Sequence, residues 1–231
     1  METHQRPLRA FHNSLAIKAE YLARVEAHRQ ADDLIRGGFG SATGTSGWRG
    51  SALGCSFHTA DDPHEAAETQ IGVLRVLAQL EDWLFGYLSE SRFKAWPGQF
   101  LQAIPVGADL SKVWPQLAVW LLVDTTQGVI HFAKTESQRE AIQHVANLYT
   151  KKLTGLEVDH KDWQDAAATA TATAAYAAGA AATAAYADAA ATVAASIATD
   201  AVPVTADDTR YAAYERVADK LLALLASAPV G

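Results

Sequence analysis

The chain has 231 residues, 49% of them apolar, a formal net charge of −7, six tryptophans and one cysteine. That apolar content supports a packed core and excludes a disordered chain, while a single cysteine excludes an internal disulfide and points to a reducing compartment. Charge is uneven: residues 1–50 carry seven Lys/Arg against five Asp/Glu, and residues 51–110 carry three against eight. There is no basic footprint for nucleic acid. Leu117–Val123 is too short to span a bilayer, and no signal-peptide core stands at the N-terminus, so no membrane association and a cytoplasmic protein are expected.

The first helix is predicted over about Leu15–Arg36, capped by Asn13 or Ser14 and stopped by Gly37-Gly38. Ile17, Tyr21, Val25, Leu34 and Ile35 form its apolar side. His28 shares that side, with Asp32 four residues on and within reach of its ring. A buried histidine held by an aspartate is the expected account, and a catalytic pair is the alternative.

Residues 37–54 hold seven glycines. Bare backbone N–H groups in such a loop can cradle phosphate, but the Lys-Ser/Thr of a P-loop is missing and no G-x-G-x-x-G follows a strand. A flexible, lid-like loop is expected. Asp62-Pro63-His64-Glu65 then opens a helix: Asp62 as cap, Pro63 in the first turn, Glu65 completing a capping box. It is predicted to run to about Ser89 with a kink at Gly72, turning Leu74, Leu77, Leu80, Trp83, Leu84 and Leu88 inward. Ser91–Ile104 reads as a helical piece interrupted at Pro97.

Asp109 or Ser111 is predicted to open the next helix, whose Leu117–Val123 run leaves almost no polar side and makes it a buried centre. Val129–Phe132 has strand composition but no evident partner. Thr135-x-x-Gln138 is a capping box, followed by Ile142, Val145, Ala146, Tyr149 and Leu153 at helical spacing, with Gly155 as the stop. Thr205-x-x-Asp208 opens a last helix with Tyr214, Val217, Ala218, Leu221 and Leu225 inward.

Between them lies Ala166–Ala201, in which 22 of 36 residues are alanine. Alanine loses no side-chain entropy on ordering, so a helix is expected, capped by Asp159 or Asp162 and ended by Val202-Pro203. About forty residues span ~60 Å as one helix, against a radius of gyration of ~17 Å for a compact chain of this length. The helix is therefore predicted to bend near Gly179 or to project, with Tyr176, Thr183, Tyr186, Val193 and Ile197 on one face. Its threonines are too irregularly spaced for an ice-binding row.

The predicted fold is all-α, a bundle of six to eight helices with a long Ala-rich helix or helical hairpin. Its domains are residues 1–158, with the glycine-rich loop 37–54, and residues 159–231, the Ala-rich arm and C-terminal helix.

One cluster carries chemistry. Cys55-x2-His58 closes the glycine loop, and His64 and Glu68 lie one turn apart on the next helix. Cys55, His58, His64 and Glu68 are all competent ligands for a single zinc ion, and a thiolate at Cys55 beside His58 is the pattern of nucleophilic catalysis. The structural alternatives are an inert buried cysteine and polar residues spent on starting a helix.

Four pieces of the chain resemble a family of uncharacterised, often alanine-rich bacterial and phage or prophage proteins. They are Phe11-His12-Asn13 before Tyr21-Leu22-Ala23-Arg24-Val25; Gly54-Cys55 with His58 and His64; Ile104-Pro105-Val106-Gly107-Ala108-Asp109; and Ala218-Asp219-Lys220-Leu221-Leu222. The resemblance implies a phage or mobile-element setting and no particular activity. Together these readings favour a helical protein-binding protein that engages a host or defence protein, or self-associates, through Tyr176 and Tyr186. The alternative is a small metal- or thiol-dependent enzyme built on Cys55, His58, His64 and Glu68; a third reading is a structural helical oligomer.

Overall fold

The computed structural model describes residues 8–172 and 207–231. Among them the chain is all-α, with nine helices and no strand beyond three isolated bridges. It divides into two compact units, one built from the described residues up to Ser111 with Leu222–Gly231, the other from those between Lys112 and Leu221.

The first unit contains α1 (Leu15–Gln30), α2 (Ala52–Phe57), α3 (Pro63–Ile71), α4 (Arg75–Tyr87) and α5 (Trp96–Ala103). Ser14 caps α1 by accepting from the Ile17 N–H at 3.3 Å. That helix ends six residues before the predicted Arg36. Asp32 takes a left-handed backbone, φ 58°, and turns Leu34 out of the helical path into a bridge with Gly50. Asp62 caps α3 as predicted, through a 3.1 Å bond from the Glu65 N–H. The long helix expected over residues 63–89 is two, parted at Gly72, whose φ is 63°. A side chain at Gly72 would also run into the Arg9 backbone, so chain reversal and close approach both demand glycine there.

Leu77, Leu80, Leu84 and Leu88 are buried with Phe11, Phe85, Trp96 and Ile104 as the core of this unit. Pro97 does not interrupt α5 but sits in its first turn, where a missing N–H costs nothing.

The second unit holds α6 (Val113–Val123), α7 (Glu136–Leu153), α8 (His160–Ala172) and the part of α9 (Asp207–Ala226) up to Leu221. α6 is buried along Trp114, Leu117, Ala118, Leu121 and Leu122, in this unit rather than in the N-terminal one. Asp109 and Ser111 do not cap it; the Asp109 carboxylate accepts from the Ser111 N–H in the preceding turn. Val129–Phe132 forms a 3-10 turn, not a strand. The capping box at Thr135 is made in full with Gln138. Tyr149 of α7 meets Trp163 of α8 ring to ring at 4.8 Å, so the expected boundary after residue 158 falls within this unit. On α9, Tyr214, Val217, Ala218, Leu221 and Leu225 are buried as their spacing requires. Residues 166–172, the start of the Ala-rich stretch, end α8; Tyr176, Gly179, Tyr186, Val193 and Ile197, and with them the prediction of a bent or projecting helix, lie outside the described residues, as does Thr205.

Candidate functional site

The glycine loop is built, not slack. Leu34 bridges Gly50 and Ser41 bridges Arg49, with paired bonds between Ser41 and Arg49 at 3.1 and 2.9 Å. These contacts fold residues 46–50 back beside Asp33. Trp48 Nε1 donates to the Phe39 carbonyl at 2.8 Å and ties the two limbs together. The loop packs on α2, which was not predicted: Ser51 is its N-cap and all six of its residues are buried.

Here four polar side chains far apart in sequence meet. Asp33 is buried, and its Oδ2 accepts twice from Ser46, from the N–H at 2.8 Å and from the hydroxyl at 2.6 Å. Ser46 Oγ lies 2.9 Å from His28 Nδ1, and His28 Nε2 lies 2.8 Å from His58 Nε2. His28 is 1% exposed, whereas His58 stands at the surface as the left-handed C-cap of α2, φ 51°. The Trp48 indole lies nearly parallel to the His58 ring, 8° apart, with centroids at 6.2 Å.

Proton counting fixes the tautomers. Ser46 has one hydroxyl proton and gives it to Asp33, so His28 Nδ1–H must donate to Ser46. Neutral His28 then has a bare Nε2, which accepts from His58 Nε2–H. His58 is left with its lone pair on Nδ1. Burial, then the neighbouring His58, pulls His28 below the ordinary imidazole value against the raising effects of Asp33 and the Trp48 carbonyl. Burial, then the Arg24 guanidinium, lowers His58. The Ser46 bonds, side chain first, hold Asp33 below the usual carboxylate range. Both imidazoles are thus neutral and Asp33 ionised at neutral pH.

The residues singled out by spacing are not brought together. Cys55 is fully buried on α2, and its thiol faces the carbonyls of Gly50 and Asp33 at 3.5 and 3.7 Å. Burial pushes that thiol up to about 11, so it is a proton donor here and not a thiolate. His64 packs edge-on against the Phe39 ring, with centroids 5.4 Å apart. Glu68 is half-buried and lies in the field of Arg75. Among the described residues no group of three or more His, Cys, Asp and Glu side chains is placed to hold a metal ion. Asp32, the expected partner of His28, instead pairs with Lys94.

Sequence reasoning missed Asp33 and Ser46. Only the adjacency of Asp33 to the noticed Asp32, and Ser46 within a glycine loop next to Trp48, hinted at them. No family model matches the chain, and no curated protein or solved structure is significantly similar to it. No helix among the described residues is long and apolar enough to cross a membrane.

Proposed function

We propose that the protein is a small enzyme of the general-base type, in which His58 Nδ1 takes a proton from a hydroxyl or a water attacking an ester-like substrate. One observation carries this reading: the hydrogen-bond chain Asp33–Ser46–His28–His58 runs from a buried carboxylate to a surface imidazole and leaves one nitrogen bare. A base needs a free lone pair, a fixed ring and a pKa near or below the working pH. The chain fixes the ring and the tautomer, and lowered basicity keeps His58 unprotonated at neutral pH. When Nδ1 gains a proton, the Nε2 proton can pass toward His28, whose Nδ1 proton faces Ser46 and ionised Asp33. Charge developing at the surface is thereby stabilised by a buried anion two groups away. Trp48, parallel to the imidazole, offers an apolar wall for the substrate. In this reading Cys55 is a structural thiol and no metal takes part in proton transfer.

The test joins NMR to turnover. Long-range nitrogen–proton correlation should find His58 as the Nε2–H tautomer in wild type. Activated acyl and phosphoryl esters should be cleaved by wild type and lose about 10²–10⁴-fold in rate in His58→Gln. Ser46→Ala should also lose rate and blur the His28 tautomer. Equal rates for wild type and His58→Gln across both ester classes would overturn the proposal.

A further inference from the structure

Beneath α2 lies a pair of acids that proton transfer at His58 does not use. Glu81 and Asp82 are neighbours on α4. Glu81 is 2% exposed, and neither of its carboxyl oxygens meets a hydrogen-bond partner in the protein. It borders a small cavity of about 10 Å³, at the lower limit for one water. Leu53 and Phe57 of α2, Ala67 and Ile71 of α3, and Phe100 and Leu101 of α5 wall that cavity. The one hydroxyl in the wall, that of Ser56, is spent on the Ala52 carbonyl at 2.8 Å. Asp82 has its Oδ1 buried and unpartnered, while its carboxyl is hydrogen-bonded to Ser51, the N-cap of α2. The two acids therefore meet α2 at its start and along its inner side.

An ionised carboxylate is costly in an apolar cavity, so Glu81 keeps its proton. Burial first, and the adjacent Asp82 second, hold its pKa well above the ordinary 4.5. No neighbouring element offsets this. α4 itself contributes another acid, and α3 contributes His64, which faces Asp82 and whose basicity is lowered by burial. The cavity residues of α2 and α5 do not titrate.

We propose that Glu81 and Asp82 form a proton-operated latch on α2 and through it regulate the His58 site. α2 has six residues and ends at His58. A helix that short does not hold on its own; it is kept by packing over the acid pair. Opening α2 brings Glu81 to water, where its pKa returns to the ordinary value and the proton leaves. The open form thus binds fewer protons than the closed one. Through Glu81 alone, opening becomes about tenfold easier per pH unit above the ordinary carboxylate range until its closed-state pKa is passed, while His28, His58 and His64, whose basicity burial lowers in the closed form, oppose this below the ordinary imidazole value. Movement of α2 parts His58 from His28, so the relay is joined at lower pH and broken as pH rises. This last step rests on the assignment of the base to His58; the latch itself does not.

Native-state hydrogen exchange read residue by residue tests the latch. Protection of the α2 amides, corrected for intrinsic exchange and compared with α7, should fall with rising pH in wild type above the ordinary imidazole value of 6.5, where His28, His58 and His64 are neutral in both forms, by up to about tenfold per unit while Glu81 keeps its proton in the closed form. Glu81→Gln, and Glu81→Met as a second variant should the amide disturb folding, should weaken that dependence, leaving only the share of Asp82, while α7 is unchanged. A wild-type slope of zero, or the same slope in both variants, overturns the proposal. A weakened slope in Glu81→Gln together with unaltered turnover in His58→Gln would leave the latch standing and remove the base.

Discussion

Gly54→Ala is the sharpest probe of whether the glycine loop is a scaffold or a lid. A Cβ at position 54 would stand 2.7 Å from the Phe39 carbonyl carbon, 3.1 Å from its Cα and closer still to its oxygen. Ordinary van der Waals contact begins at 3.4 Å, so the Phe39 peptide must retreat. It has little room. The two limbs of the loop are themselves in contact through glycines, since a Cβ on Gly50 would come within 2.7 Å of the Gly40 Cα. The clashing atoms are backbone, not a flexible side-chain end, and a cost of about 3 kcal/mol or more is expected. For a chain of this size that lowers the melting temperature by about 6–12 °C. Gly86→Ala and Gly98→Ala are the controls: both glycines lie inside helices, with nothing within 4 Å of an added Cβ. These should gain about 0.4–1 kcal/mol, because alanine loses less backbone entropy on folding. One chemical change thus gives opposite signs at three sites. Thermal and urea melts followed by circular dichroism measure it, with tryptophan emission reporting Trp48, whose indole N–H holds the Phe39 carbonyl. A Gly54→Ala protein that melts with wild type would refute the close packing and restore a mobile lid.

Two further outcomes follow from the titrating groups. Cys55, with its thiol raised to about 11 and buried, should react with a disulfide reagent at neutral pH only as fast as the unit opens, and rapidly once urea unfolds it; labelling as fast as a free thiol in the native state would contradict its placement. His28 has a folded pKa below the ordinary imidazole value of 6.5, so the unfolded state binds more protons just under that value. Its contribution is fully present above about 6.5 and lost as pH falls through the lowered value. Stability of wild type should therefore decline in that acid window, and His28→Asn should weaken the decline; an unchanged slope would mean that His28 is charged in the fold.

Most of the helical frame was legible because its signals are local. The caps at Ser14, Asp62 and Thr135, the breaks at Gly72 and Gly155, and the buried positions of α4, α7 and α9, apart from Trp83 and Leu153, which are only half-buried, each need only a few consecutive residues to specify them. Errors came where a distant contact overrode local preference. Ile35 fits the apolar side of the first helix, yet Asp32 turns left-handed and the Ile35 N–H goes to the Gly50 carbonyl at 2.8 Å. α2 escaped notice because Gly54 and the surrounding glycines argue against a helix. Gly50 and Gly54 stand there for close packing against Phe39, a reason that only the folded loop reveals.

The site was half legible for a related reason. Cys55, His58, His64 and Glu68 stand close in sequence, and such spacing suits a metal held by neighbouring turns of one segment. A proton relay has no such constraint: each member needs one partner at hydrogen-bond distance, whatever its place in the chain. His28 reaches His58 across thirty residues and Ser46 across eighteen. Spacing drew His58 into a group with Cys55, His64 and Glu68, whereas the fold sets its exposed imidazole against His28 and Trp48. Asp33 was passed over for Asp32 because helical geometry puts i+4 on the same face. Once the helix ends at Gln30, that geometry no longer applies, and the left-handed turn at Asp32 sends its carboxylate out to Lys94 while Asp33 turns inward to Ser46. One backbone dihedral thus decides which of two adjacent aspartates orients the histidine pair. Glycine at position 32 would keep that dihedral and Asp33 in place, whereas Asp32→Val, unfavourable at φ 58°, should disturb the tautomer of His28 without touching any member of the relay.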